Sequence, residues 1–236
     1  MLLQVTRHPA LVMVIGLALG LRGASLLAAG EPHDQDHADH PSAQEALQRL
    51  LDGNARFVRG VSNGDHRDAR RRQELVNGQN PFAAILCCSD SRVPPELIFD
   101  QGLGDIFVVR VAGNVVLEDA LGSMEYADVH LHTWLIMVLG HERCGAVRTT
   151  LDAMFRHGHE PKHITELAKL IRPALKDIDP KATPAEQVHA GVEANVRQSL
   201  RQLAEIEEVA AALKNGSVQL VGAVYDAETG KVRLLK

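Results

Sequence analysis

The sequence predicts an α/β fold of three layers: a mainly parallel four-stranded sheet, extended by one antiparallel edge strand, with helices on both faces. Three observations lead there. Four short runs, over 82–88, 106–111, 134–139 and 218–225, are rich in Val, Ile, Leu and Ala and show no polar alternation, as strands buried on both faces require. Stretches with helical apolar spacing separate these runs, the pattern of strands joined by helical crossovers. Hydrophobic residues make up 45% of the chain but aromatic residues only 3%, so the core is aliphatic, which suits helices packed on a buried parallel sheet.

Composition also sets limits on function. With 236 residues and 23% of them charged, the chain is neither disordered, collagen-like nor a coiled coil, and its length is that of one domain. Lys and Arg number 25 against 30 Asp and Glu, a net charge of −5. There is no basic excess to collect phosphates, so nucleic acid is not an expected partner. The three cysteines are an odd number in a chain long enough to bury a core without disulfides, which leaves them free for chemistry. No glycine-rich phosphate-binding motif follows a strand, so no organic cofactor is expected.

Taken in order, residues 1–30 contain no acid, carry Arg7 and His8 early, and then run uncharged from Ala10 to Leu21 before Arg22. This reads as a secretory signal peptide. The apolar run is shorter than the roughly 20 residues that span a bilayer, so the mature chain is expected outside the cytoplasm, in the periplasm or beyond, with no membrane attachment after cleavage. Residues 31–41, EPHDQDHADHP, are a polar linker; its interleaved histidines and aspartates read as a solvated tether because such tracts impose no fixed geometry. Ser42 with Glu45 forms a capping box ahead of a helix over 43–58. A more polar helix is expected over 66–76, its Arg70, Arg71 and Arg72 forming a solvated face. Further helices are expected over 118–129, 160–176 and 184–213, the last with Val188, Val192, Val196, Leu200 and Leu203 on one stripe. A polar turn over 226–231 leads to a last strand over 232–235, antiparallel to its predecessor.

Function in open α/β sheets gathers beyond the carboxyl ends of the strands. There the first run leads into Cys88-Ser89-Asp90-Ser91-Arg92 and the third into His141-Glu142-Arg143-Cys144. Two thiols and an imidazole are a zinc ligand set, and the H-x-x-C spacing lets one tight turn offer two of them to a single ion. The fourth position is either Asp90, which closes the site, or water, which makes it catalytic. Asp90 can instead pair with Arg92, which keeps the carboxylate ionised and able to orient a nucleophile.

These residues sit in longer segments, CSDSRVPPELIFDQGLGDIFVVRVAGNVV, LGSMEYA and VLGHERCGAV, that resemble the bacterial β-class carbonic anhydrases. GNARF at 53–57, GQNP at 78–81, Asn195-Val196 and the closing VGAVYDAETGKV extend the resemblance over 42–236, the expected catalytic domain. The resemblance implies zinc-dependent reversible hydration of carbon dioxide to bicarbonate and a proton, by attack of zinc-bound hydroxide. It makes Cys88, His141 and Cys144 the Zn2+ ligands and Asp90 and Arg92 the catalytic dyad. It also implies a homodimer, often assembled further, with an interfacial substrate cleft lined by Gln79, Phe107 and Tyr126.

Four positions depart from the family pattern. Cys87 stands where a small residue is usual, and strand alternation points it away from Cys88. His130 and His132 enrich the connection before the third strand and read as surface histidines. Ile85 stands where the allosteric subtype has a tryptophan that shelters bicarbonate, which favours an open site. Two other readings use the same residues: a related hydrolase on this scaffold, for instance one acting on carbon disulfide, and a non-enzymatic extracytoplasmic zinc store for which Asp90 and Arg92 are dispensable.

Overall fold

Ser42 starts the first helix through a complete capping box: its hydroxyl accepts the Glu45 N–H at 3.3 Å while the Glu45 carboxylate accepts the Ser42 N–H at 2.8 Å. The computed structural model describes residues 40–236. The expected signal peptide and all but the last two residues of the linker lie outside the described residues. Helix α1 (Ala43–Val58) buries Ala46, Leu47 and Leu50 along one face. Leu50 is fully buried, and truncating such a side chain to alanine costs about 2–5 kcal/mol.

The strands are β1 (Ala83–Cys87), β2 (Ile106–Arg110), β3 (Leu135–His141), β4 (Gln219–Tyr225) and β5 (Val232–Leu234). They form one sheet in the order β2-β1-β3-β4-β5. The first four are mutually parallel and β5 runs antiparallel to β4, as expected. The sheet separates two apolar layers. On one face Ala83, Ile85 and Cys87 meet α1, Ile98 of α3 (Pro95–Ile98) and Phe99. On the other, Ala84, Leu86, Ile136 and Val138 meet α4 (Glu118–Val129), α5 (Gly145–Phe155), α6 (Lys162–Ile171), α7 (Pro184–Leu203) and α8 (Glu207–Asn215). Gly140 lets α7 come down onto β3, since a Cβ there would meet Val196 Cγ2 at 2.5 Å. Among the described residues no helix is long and apolar enough to cross a membrane.

Several expected boundaries move, for physical reasons. The polar helix shortens to α2 (Ala69–Glu74) because His66 is left-handed, with φ 55°, and Asp68 caps the helix by accepting the Arg71 N–H at 2.8 Å. Arg71 is no solvated face: its Nε donates to the Leu103 carbonyl at 2.9 Å and its Nη2 lies 3.6 Å from Asp105. The 160–176 segment leaves the α-helix at Ile171 and tightens into a 3-10 turn over Arg172–Leu175, because Pro173 has no N–H for the helical ladder. The long 184–213 segment is two helices, broken between Leu203 and Glu207 so that Val209 and Ala212 can reach the same core as Leu203. Neither glycine nor proline marks that break. Helices α3 and α5 were not expected.

Candidate metal centre and active site

Three loops at the carboxyl ends of β1, β2 and β3 build the site. β1 ends one residue before Cys88, and the chain then turns sharply: Arg92 N–H donates to Asp90 Oδ1 at 2.9 Å and Val93 N–H to the Asp90 carbonyl at 3.0 Å. β3 ends on His141, after which Arg143 takes a left-handed conformation, φ 56°, that returns the chain so that Cys144 opens α5. The loop after β2 brings in Gly113 and Asn114, both left-handed. Its shape follows from a buried polar network. Asn195 Nδ2 donates to the Gly113 carbonyl at 2.6 Å, and Ser199 Oγ donates to the Asn114 carbonyl at 2.9 Å.

Cys88, His141 and Cys144 converge so closely that the Sγ atoms and one imidazole nitrogen all lie within 4.8 Å of one another, and all three residues are buried. His141 Nδ1 lies 3.1 Å from the Glu142 carbonyl. A carbonyl only accepts, so Nδ1 carries the proton and Nε2 presents its lone pair. That Nε2 is buried and has no hydrogen-bond partner, an arrangement that costs about 1–3 kcal/mol unless something satisfies it. Two soft sulfurs beside an orphaned imidazole nitrogen fit zinc, and a set of three protein ligands is the kind that leaves a coordination position for chemistry.

The thiols are tuned against each other. The neighbouring Cys144 thiol and the N–H groups of Gly113 (3.2 Å) and Asp90 (3.4 Å), opposed by burial, bring the Cys88 thiol well below its ordinary range. Cys144 is pushed well above the ordinary thiol range by the neighbouring Cys88 and by burial. A cation at their meeting point would favour ionisation of both.

Asp90 lies beside this cluster without joining it. Arg92 grips both its oxygens, Nε to Oδ1 at 2.9 Å and Nη2 to Oδ2 at 2.8 Å, and Oδ2 is 4.0 Å from His141 Nε2. The Arg92 guanidinium holds the carboxyl well below the usual carboxylate range. Arg110, at the end of β2, supports the turn by donating to the Cys88 carbonyl at 3.2 Å and the Asp90 carbonyl at 2.7 Å.

The remaining predicted positions fall elsewhere. Phe107 pairs in register with Ala84, four residues short of Cys88, and its ring lies 6.3 Å from that of Tyr126 on α4, which is 46% exposed. Gln79 is exposed and precedes the amino end of β1, whose carboxyl end leads to Cys88. Cys87 faces the opposite layer, as expected, and burial pushes its thiol up to about 12. Ile85 is fully buried on that same face. His130 ends α4 with its ring 4.9 Å from Tyr126, and His132 lies in the left-handed turn before β3. Gly113, Ser199 and Arg110 carry no expected role, and Asn195 figures only as part of the resemblance. The signal lay in α7, where Gln187, Gly191, Asn195 and Ser199 recur every four residues and are all buried: a stripe of three polar side chains and a glycine beside the apolar one.

A sequence profile of the carbonic anhydrase family matches residues 83–232. The chain is 37% identical over 190 residues to a carbonic anhydrase of Mycolicibacterium smegmatis, a match covering 80% of this chain and 91% of the relative. It is also 37% identical over 193 residues to carbonic anhydrase 2 of Mycobacterium tuberculosis, with the same coverage of 80% and 91%. Among solved structures, a Coccomyxa β-carbonic anhydrase in complex with acetazolamide superposes with a TM-score of 0.65 at 26% identity, covering 80% of this chain and 86% of that one. The β-carbonic anhydrase CcaA superposes with a TM-score of 0.64 at 28% identity, covering 80% and 95%. Fold and sequence agree over four fifths of its length, and this chain belongs to the β-class carbonic anhydrase family.

Proposed function

We propose that Cys88, His141 and Cys144 hold a zinc ion and that the protein hydrates carbon dioxide reversibly to bicarbonate and a proton. The observation that carries this reading is the orphaned, buried His141 Nε2, set between two thiols and 4.0 Å from a carboxylate that Arg92 keeps ionised. Zinc bound there supplies Lewis acidity that makes water nucleophilic near neutral pH.

The chain's own residues do the rest. The N–H groups of Gly113 and Asp90 hold the Cys88 sulfur in place and favour its thiolate form. The Glu142 carbonyl fixes the imidazole tautomer that aims Nε2 at the shared point. Asp90, gripped by Arg92, offers an acceptor that orients the nucleophile and takes no place among the three ligand groups. This supports an open site at neutral pH.

Assembly and address complete the reading. β2 lies at the edge of the sheet, and Leu97, Leu103 and Tyr126 are exposed; an uncovered edge of this kind favours pairing with a second copy. In such a dimer Gln79 of the second copy joins Phe107 and Tyr126 in lining the substrate cleft. Export rests on the acid-free, apolar segment over 1–30. Amino-terminal sequencing of protein recovered from the periplasmic fraction, with analytical ultracentrifugation of the same material, tests both.

Stopped-flow carbon dioxide hydration by the zinc-loaded protein tests the activity. Fast turnover supports the anhydrase. Turnover of carbon disulfide without that of carbon dioxide overturns it in favour of the related hydrolase, and zinc binding with neither turnover points to a store.

A further inference from the structure

The turn that supplies two of the three ligands is clamped from outside the site, and the clamp converges on Glu142. Every polar group of this residue is committed. Its N–H donates to the Tyr225 carbonyl at 2.8 Å, which extends the β3–β4 pairing by one residue. Its carbonyl accepts from His141 Nδ1 at 3.1 Å. Its carboxylate meets His189 Nδ1 of α7 at 3.0 Å and lies 3.8 Å from Arg233 Nη2 of β5. Arg233 in turn binds Glu193 of α7 at 2.7 Å, and His189 Nε2 lies 3.9 Å from the same Glu193 oxygen.

We propose that this cluster of His189, Glu193 and Arg233 acts through Glu142 as a positioning device that sets the orientation of His141 toward the metal. The physical link is short. The Glu142 side chain and the Glu142 carbonyl share one Cα, so fixing the carboxylate between α7 and β5 restricts rotation of the peptide unit whose oxygen orients the imidazole. Outer contacts of this kind set ligand direction and basicity. Exposure separates this clamp from its neighbour. Arg143 and Glu228 also pair, at 2.7 Å, but their side chains are 77% and 70% exposed, where an ion pair contributes little. The Glu142 side chain is only 23% exposed, against 56% for His189 and 49% for Arg233, and is reached from two elements at once. The inference rests on the reading that Cys88, His141 and Cys144 bind zinc.

The test measures metal handling rather than turnover. Zinc release from the full protein to a chromogenic chelator, and the absorption spectrum of the cobalt(II)-substituted protein, are recorded for the parent, Glu142→Ala, Glu142→Gln, Arg233→Met and the Glu142→Ala/Arg233→Met pair. Glu142→Ala is expected to speed release about tenfold, the lower end for outer-shell partners, and to shift the cobalt bands. Glu142→Gln, which keeps an acceptor oxygen for His189, is expected to return release to within about threefold of the parent. Arg233→Met is expected to speed release in the same direction. The double variant is expected to match Glu142→Ala, since both changes act through one carboxylate.

Release at the parent rate with an unchanged cobalt spectrum in Glu142→Ala overturns the proposal, as do effects that simply multiply in the double variant. Glu166→Ala, which breaks the exposed pair with Lys169 on α6, serves as the control; an equal acceleration there also overturns it. Should Glu142→Ala fail to fold, Arg233→Met decides alone, and parent-like release counts against the clamp. A parent that takes up neither zinc nor cobalt overturns the metal-centre reading, and the clamp with it.

Discussion

Arg92 binds Asp90 three times across a separation of two residues: once through its backbone N–H, at 2.9 Å, and twice through its guanidinium, at 2.9 and 2.8 Å. The planar fork matches the carboxylate geometry, so Asp90 is held in one orientation as well as one charge state. Its remaining directional freedom lies toward His141 Nε2, 4.0 Å away.

Asp90→Asn is therefore expected to retain zinc, because Asp90 is outside the ligand cluster, and to lose about 10²–10⁴-fold in turnover. Arg92→Lys is expected to lose activity as well, since an ammonium cannot make the two parallel contacts. Stopped-flow hydration together with metal content by mass spectrometry checks both. Full activity in Asp90→Asn would exclude Asp90 from the mechanism.

The Gly113 loop is built from distant parts of the chain, and its stability depends on them. Asn195→Ala leaves the buried Gly113 carbonyl without its 2.6 Å donor, at an expected cost of about 1–3 kcal/mol. Gly113→Ala adds a Cβ 2.7 Å from Ile171 Cδ1 at φ 69° and is expected to cost a similar about 1–3 kcal/mol. Urea denaturation of the zinc-loaded forms measures the loss. Unchanged midpoints would show that the loop tolerates either change.

Acid stability is expected to depend on Asp100. Its side chain is 2% exposed and accepts from Ser62 Oγ at 2.5 Å, Arg56 Nε at 2.6 Å, Arg67 Nη2 at 2.9 Å and the Asn63 N–H at 3.1 Å. Burial alone raises the carboxyl, but these donors, led by Ser62 and Arg56, outweigh it and bring it down to about 2. A carboxylate lowered in the folded state stabilises fully above its unfolded value of about 3.9 and stops doing so as pH falls through the folded one. Denaturation midpoints are thus expected to drop between about pH 4 and pH 2 in the parent. Asp100→Asn should be less stable at pH 7, by about 1–3 kcal/mol, yet flatter across that window. Equal slopes for the two proteins would refute the assignment.

Removal of zinc is expected to expose a redox liability. Cys88 and Cys144 are both free, their sulfurs lie within 4.8 Å, and the Cys88 thiol is held below its ordinary range. In chelator and oxidised glutathione, the Cys88 thiolate attacks the glutathione disulfide, and Cys144 then displaces the bound glutathione, so that two glutathione thiols leave and one protein disulfide forms. Peptide mapping should find Cys88 joined to Cys144, with Cys87 still free because it faces the other layer and is pushed up to about 12. Recovery of both thiols unmodified would count against this pairing.

By itself the sequence determined what short-range physics controls. Apolar runs without alternation specified four parallel strands, although β2, at the sheet's edge, is only half-buried where burial on both faces was expected; the Ser42 box specified the start of α1, and the spacing within 88–92 and 141–144 specified a pair of turns that offer metal-ligand side chains. Each of these signals acts over a few residues, through backbone geometry that repeats locally. The tertiary structure decided the rest. The break between α7 and α8 carries no glycine or proline, and it arises because two stretches of one apolar stripe must reach a single core. The bond from Asn195 to Gly113 spans 82 positions and exists only because α7 rests on Gly140 above the sheet. The clamp on Glu142 draws on α7 and β5 together. Gln79, close to Cys88 in sequence, is separated from it by a whole strand. Side chains from distant segments meet only once the layers have packed, so local periodicity does not encode which of them will touch.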